Sequence, residues 1–94
     1  MMLLLLSVVV SRAATEIDGI YYNLDSDSKT AEVTSGTNKY TGSVTIPEAV
    51  SYNGVDYSVT SINDMAFHNC SSLTSIVVSN SVTNIGTYAF GNSI

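Results

Sequence analysis

The sequence predicts a mostly β fold in which small β hairpins lead into a solenoid of 23-residue repeats with short helical turns. Three observations predict it. The nine letters "VTSINDMAF" from Val59 return as "VTNIGTYAF" from Val82, 23 residues later. From Ile17 to Val59 the chain breaks into short runs of β-favouring residues, divided by Gly, Asn, Asp and Ser. No stretch in that region carries the helical period of apolar residues.

Composition bounds the rest. A chain of 94 residues allows one small domain, with a core of marginal size. Eight acids stand against three bases, a formal net charge of −5. Only 12% of residues are charged, about half the usual share, so Ser, Thr and Asn carry solubility. An acidic chain without a basic run repels phosphate backbones, which excludes nucleic acid as a partner. An anionic membrane surface would repel it too. The single cysteine, Cys70, has no partner for an intramolecular disulfide and reads as a small buried apolar side chain.

The first residues, "MMLLLLSVVVSRAATEIDG", hold an apolar run from Leu3 to Val10 followed by Ser11-Arg12-Ala13. An apolar run ending in small residues at −3 and −1 of a cut fits a secretory signal, residues 1–13, cleaved after Ala13. The run is far shorter than the ~20 apolar residues of a membrane span. No Lys or Arg precedes it, which departs from the usual charged start. With no Cys after it, a lipid anchor is not expected.

The elements then follow in order. "IDGIYYNL" (17–24) is rich in Ile and Tyr and reads as a β segment. "DSDSK" (25–29) is a run of turn formers. "TAEVTS" (30–35) alternates Ala31 and Val33 with Thr30, Glu32 and Thr34, the period of a half-buried strand. "GTN" (36–38) turns the chain, and "KYTGSVTIP" (39–47) is ended by Pro47, which has no N–H for a ladder. "SYNGVDYSV" (51–59) sets Asn53-Gly54 between β-favouring residues, a strong hairpin signal because both tolerate positive φ. Asn23, Asp25 and Asp27 alternate like the start of a calcium loop. Lys29, Ser28 and Thr34 then stand where an acceptor, a Gly and a bidentate Glu are required. The stretch therefore reads as an acidic turn.

The repeat keeps its apolar positions and lets its polar ones drift. Val59, Ile62, Ala66 and Phe67 match Val82, Ile85, Ala89 and Phe90, while Asp64 becomes Thr87. Such a pattern is what one continuous core imposes. Between the copies, Leu73, Ile76 and Val78 fall in the spacing L-x-x-L-x-L, that of leucine-rich repeats. In a short strand Ile76 and Val78 point one way, into the core, and Ser75 and Val77 the other. Cys70 joins the core set. A fainter copy, "SVTIPEAV" (43–50), overlays "SIVVSNSV" (75–82) at an offset of 32 residues. The excess over 23 is the Asn53-Gly54 hairpin, an insertion over 51–58.

With these residues in view, the stretch 43–94 resembles the BspA-type leucine-rich repeats of bacterial surface proteins. The carrying segments are "VTIPEAV", "VTSINDMAFHNCSSLTSIVV" and "VTNIGTYAF", with Ala66-Phe67 followed three residues later by Cys70. Residues 14–42 look like the small β cap that often precedes such arrays. Ser93 stands where a second Cys would be, and "VVSNS" lacks the proline of its counterpart. The resemblance implies a right-handed solenoid with a narrow parallel sheet on one face. It also implies export and a secreted or cell-surface binding role, such as adhesion to a protein or glycan ligand. Catalysis and cofactors are not implied. A structural spacer, or a targeting module attached to a downstream enzyme domain, is the alternative.

The residues themselves offer little chemistry. His68 stands near Asp64 and several Ser, but its counterpart in the next copy is Gly91, so it reads as a solvent-facing variable position. No paired carboxylates, phosphate loop or Cys/His metal spacing is evident. Six tyrosines suit strands and binding surfaces equally. If a binding face exists, its candidates are the outward sheet residues Ser43, Thr45, Ser75 and Val77. Repeats need neighbours to bury their faces, so the natural protein is expected to continue beyond Ile94. Otherwise the uncapped C-terminal face would pair end to end with a copy of itself.

Overall fold

The computed structural model describes residues 14–91. The expected signal segment, residues 1–13, and positions 92–94 lie outside them. The described chain is strands and turns: β1 (Thr15–Ile17), β2 (Ile20–Asp25), β3 (Thr30–Thr34), β4 (Gly42–Thr45), β5 (Ala49–Tyr52), β6 (Val55–Ile62), β7 (Leu73–Val77) and β8 (Asn84–Ile85). A six-stranded sheet runs β1-β2-β3-β6-β5, with β8 also on β6. A second sheet pairs β4 with β7.

Two hairpins share one device. Asn53 and Gly54 between β5 and β6 have φ of 52° and 79°, the left-handed pair that matches strand twist. Asp18 and Gly19, with φ of 51° and 85°, do the same between β1 and β2. The single β segment expected over 17–24 is therefore divided by a turn, with Ile17 facing Ile20 across it. The acidic run closes the β2–β3 connection. Asp25 Oδ1 accepts the N–H groups of Asp27 and Ser28, at 3.0 and 3.3 Å. Those bonds, the Ser28 one foremost, hold the Asp25 carboxyl below its ordinary pKa. Asn23 lies on β2 and donates to Glu32 across the ladder at 3.2 Å. The calcium-like alternation is thus committed to a turn and a strand pair.

The repeats stack in the registers that the sequence overlay requires. On β4 and β7, Ser43, Val44 and Thr45 face Ser75, Ile76 and Val77 in parallel, an offset of 32. On β6 and β8, Ser61 and Ile62 face Asn84 and Ile85, an offset of 23. The segment ahead of the repeats joins the same stack, since β3 pairs in parallel with β6 through Ala31–Val59 and Val33–Ile62.

The segment after β6, expected as a helical turn, is a chain of reverse turns instead. The N–H groups of Ala66, His68 and Cys70 each donate three residues back, to Asn63, Met65 and Phe67. Met65 and Asn69 interrupt helical propagation with φ of 57° and 59°. Tyr88, one repeat after Met65, repeats the left-handed conformation at 55°. The two copies are laced by their backbones, with Met65, Phe67 and Asn69 donating to the carbonyls of Thr87, Ala89 and Gly91. Asp64 adds a side-chain bond, accepting the Thr87 N–H at 2.8 Å.

The core runs along the stack. Val59, Ile62, Ala66, Phe67, Cys70, Leu73 and Ala89 are buried, as their repeat positions require. Ile76, Val78, Val82 and Phe90 are partly buried against that core. Ile85 departs from expectation: it is 56% exposed. Its strand pairs with β6 on one edge, and no described residue stacks on the other side. Through the centre runs a row of rings. Tyr21 meets Tyr40 edge-on at 5.9 Å, Tyr40 lies 4.5 Å from Phe67, and Phe67 stacks on Phe90 at 5.3 Å.

Two buried tyrosines differ in how their hydroxyls are met. The Tyr40 hydroxyl donates to the Thr34 carbonyl at 2.5 Å and accepts the Tyr21 N–H at 2.9 Å. The Tyr22 hydroxyl is buried without a hydrogen-bond partner among the described residues. Tyr40→Phe should therefore cost about 1–3 kcal/mol, because it strands a buried acceptor. Tyr22→Phe should stay within about 0.5 kcal/mol of the parent or stabilise it. Urea unfolding of both variants checks the contrast, and equal losses would refute it. Gly86 offers a second test, because a Cβ there would collide with Asp64 and the Asn63 carbonyl carbon of the preceding turn. Gly86→Ala should lower stability by about 1–3 kcal/mol in the same assay.

Candidate binding face and family

The β4–β7 pair sets the candidate face. Alternation along a strand puts Val44 and Ile76 toward the interior and their neighbours toward solvent. Ser43, Thr45, Ser75 and Val77 are all exposed. The register places them as two pairs, Ser43 beside Ser75 and Thr45 beside Val77. The Ser75 hydroxyl donates to the Ser43 hydroxyl at 2.9 Å. The face is thus a small polar patch with one apolar member, Val77, 56% exposed.

The other residues weighed in the sequence take structural positions. Asp64 spends its carboxylate on the Thr87 N–H of the next turn. His68 is half-buried, and a Cβ at Gly91 would meet its ring at 2.9 Å, so ring and glycine stack as repeat equivalents. The Cys70 thiol is buried and lies 3.8 Å from the His68 carbonyl oxygen. Among the described residues, no group of three His, Cys, Asp or Glu is placed to hold a metal ion. No helix there is long and apolar enough to cross a membrane.

The tyrosines divide. Tyr22, Tyr40 and Tyr57 are core, Tyr21 is partly buried, and Tyr52 and Tyr88 are exposed. Tyr88 is 72% exposed, and its equivalent Met65 is exposed too. Tyr88 is one of the six tyrosines weighed in the sequence, whereas Met65 is absent from the sequence-based candidates. The signal for it was the equivalence of Met65 and Tyr88 in the repeat, two large apolar residues at a position that drifts.

Residues 37–94 match the family model described as BspA type leucine-rich repeat region. The chain belongs to the BspA-type leucine-rich-repeat family. The leucine-rich-repeat fold also has a solved counterpart in a leucine-rich cell surface protein from Faecalibacterium prausnitzii A2-165. The two share 24% identity and a TM-score of 0.56 over 86% of this chain. This chain spans 28% of that protein's length. A comparison with curated proteins finds no match.

Burial pushes the Tyr22 phenol up to about 12, and the nearby Asp18 charge adds to the shift. Burial also raises Tyr40, while the Tyr21 N–H bond pulls the other way. A folded-state value above the unfolded one means that the stabilisation is intact below pH 10 and is lost as pH rises toward 12. Alkaline unfolding should therefore fall in that window. Tyrosine ring 13Cζ NMR checks it: Tyr22 ionising near pH 10 in a still-folded chain would contradict the burial.

Proposed function

We propose that this chain serves as a binding module of an exported, surface-displayed leucine-rich-repeat protein, engaging a protein or glycan and acting without catalysis. The observation that carries the reading is the in-register stack of β4 on β7. It spends the inward side chains on the core and leaves Ser43, Thr45, Ser75 and Val77 in solvent. Outward residues on stacked rungs have no packing duty and are free to be chosen by a ligand. The family membership and the cell-surface protein of the same fold support that setting. In this reading residues 1–13 direct export, residues 14–42 cap the array, and 43–94 supply repeats with 51–58 as an inserted hairpin. One or two rungs make a patch well below the roughly 800 Å² per partner of a standard interface, so binding is a property of stacked repeats together.

The test is binding of the whole protein to immobilised extracellular matrix proteins and a glycan array. Micromolar binding to one of them, weakened about tenfold by Ser75→Lys with Val77→Lys, is the expected result. Substitutions on the face that leave such binding unchanged would move the site elsewhere. Exposed Ile85 and Tyr88 also support end-to-end pairing of copies. Sedimentation equilibrium should then show a dimer that Ile85→Lys dissociates, and a monomer at every concentration would dismiss the pairing.

A further inference from the structure

We infer that the free edge of β4 is a docking site for an extended basic peptide, held by strand addition. The site goes beyond the outward-face reading and does not depend on it. The face offers side chains, and the edge offers main chain.

The argument starts from the ladder. β4 pairs with β7 alone among the described strands. The Gly42 N–H donates to Ser72 and the Ile46 N–H to Val77, both on the β7 side. Val44 sits between them in phase. Strand alternation then sends the N–H and C=O groups of Ser43 and Thr45 to the opposite edge. Among the described residues no other strand pairs along that edge. The edge forms one wall of a cleft of about 390 Å³, whose far wall is Ile20 and Tyr21 at the start of β2. The β1–β2 hairpin forms no ladder with β4, and the cleft is lined by residues of both sheets. An unpaired N–H and C=O row facing such a slot is a template for one more strand.

The walls state the chemistry of the occupant. Glu16 and Asp18 line the cleft, both exposed. The one basic residue lining it, Lys39, is turned away to donate to the His68 carbonyl at 3.1 Å. The slot is therefore acidic and favours Lys or Arg side chains. A smaller cleft of about 190 Å³ adjoins it, sharing Asp18, Ile20 and Thr45 and ending on Pro47 and Val50. Tyr22 lines this recess, and its hydroxyl is a buried side-chain polar atom with no hydrogen-bond partner among the described residues. β4 spans four residues, so the complementary segment is four to five residues long at about 3.3 Å per residue.

The experiment uses the 15N-labelled chain and a blocked pentapeptide alternating lysine and valine. The peptide should shift the amide resonances of Ser43 and Thr45 and slow their hydrogen exchange at about 1 mM or below. The same peptide N-methylated at alternate residues, made in both phases, should lose at least about tenfold in affinity in one phase. A glutamate-valine peptide should leave the resonances unmoved. The double variant Glu16→Gln with Asp18→Asn keeps residues suited to the hairpin and should weaken binding about tenfold. Equal affinity of both N-methylated peptides would overturn the edge. So would shifts confined to Ser75 and Val77, or no shift at all. An oligosaccharide that moves Ser43 and Thr45 while the peptide does not would overturn the peptide assignment in favour of a glycan.

Discussion

The Tyr40 side chain joins the parts of this fold that have no covalent reason to meet. Its hydroxyl bridges β3 and β2, accepting a hydrogen bond from the Tyr21 N–H and donating one to the Thr34 carbonyl. Its ring continues into Phe67 and, through it, Phe90. The residue sits in the irregular segment between the two sheets, so the bridge also fixes where β4 begins. Ring–ring contacts of this kind add about 0.5–1.5 kcal/mol beyond the area they bury. Here they also set the spacing of successive turns, because Phe67 and Phe90 occupy the same repeat position.

Around that row the backbone does the stacking. Parallel pairing brings residues beside their repeat equivalents, as with Ser43 and Ser75 or Ile62 and Ile85. The requirement is stricter than apolarity. Gly86 lies so close to Asp64 that no side chain fits, and Asp64 must then present its carboxylate to Thr87. A repeat position is thus chosen by its neighbour one turn away as well as by its own environment. The same logic explains why polar positions drift in pairs and apolar ones hold.

Much of this was legible in the residues. The offsets of 23 and 32 returned as hydrogen-bonded registers, and Asn53-Gly54 returned as a turn, because repeat spacing and turn chemistry are written locally. Asp18-Gly19 carries the same chemistry between two isoleucines, yet the surrounding Ile and Tyr read as one continuous segment. The turns at Met65 and Asn69 were expected as helix, since Met does not announce a left-handed backbone as Gly would and the weaker signal of Asn69 stood alone. Ile85 matched Ile62 letter for letter but lacks a described neighbour to cover it. The pairing of β3 with β6 had no signal, because parallel partners so far apart share no local pattern. The four candidate face residues did fall on the solvent side, a direct result of period-two alternation. The slot beside β4 was not foreseeable, as it depends on where one sheet ends against another.

The strand β6 is shared by β5, β3 and β8, and that sharing gives the fold an order in time. The hairpin of β5 and β6 closes around two residues and forms on the microsecond scale. β3 reaches the same strand only after a long loop has been brought together, with its entropy lost before any ladder forms. β8 reaches that strand across a segment of similar length, residues 63–83 against 35–54, but finds β6 already held in a sheet. Both parallel closures join strands distant in sequence and are slower than the hairpin, and each later rung adds to an edge that the one before it supplies. Translation from the N-terminus presents the strands in chain order, so β6 can be paired by β3 and β5 before β8 emerges.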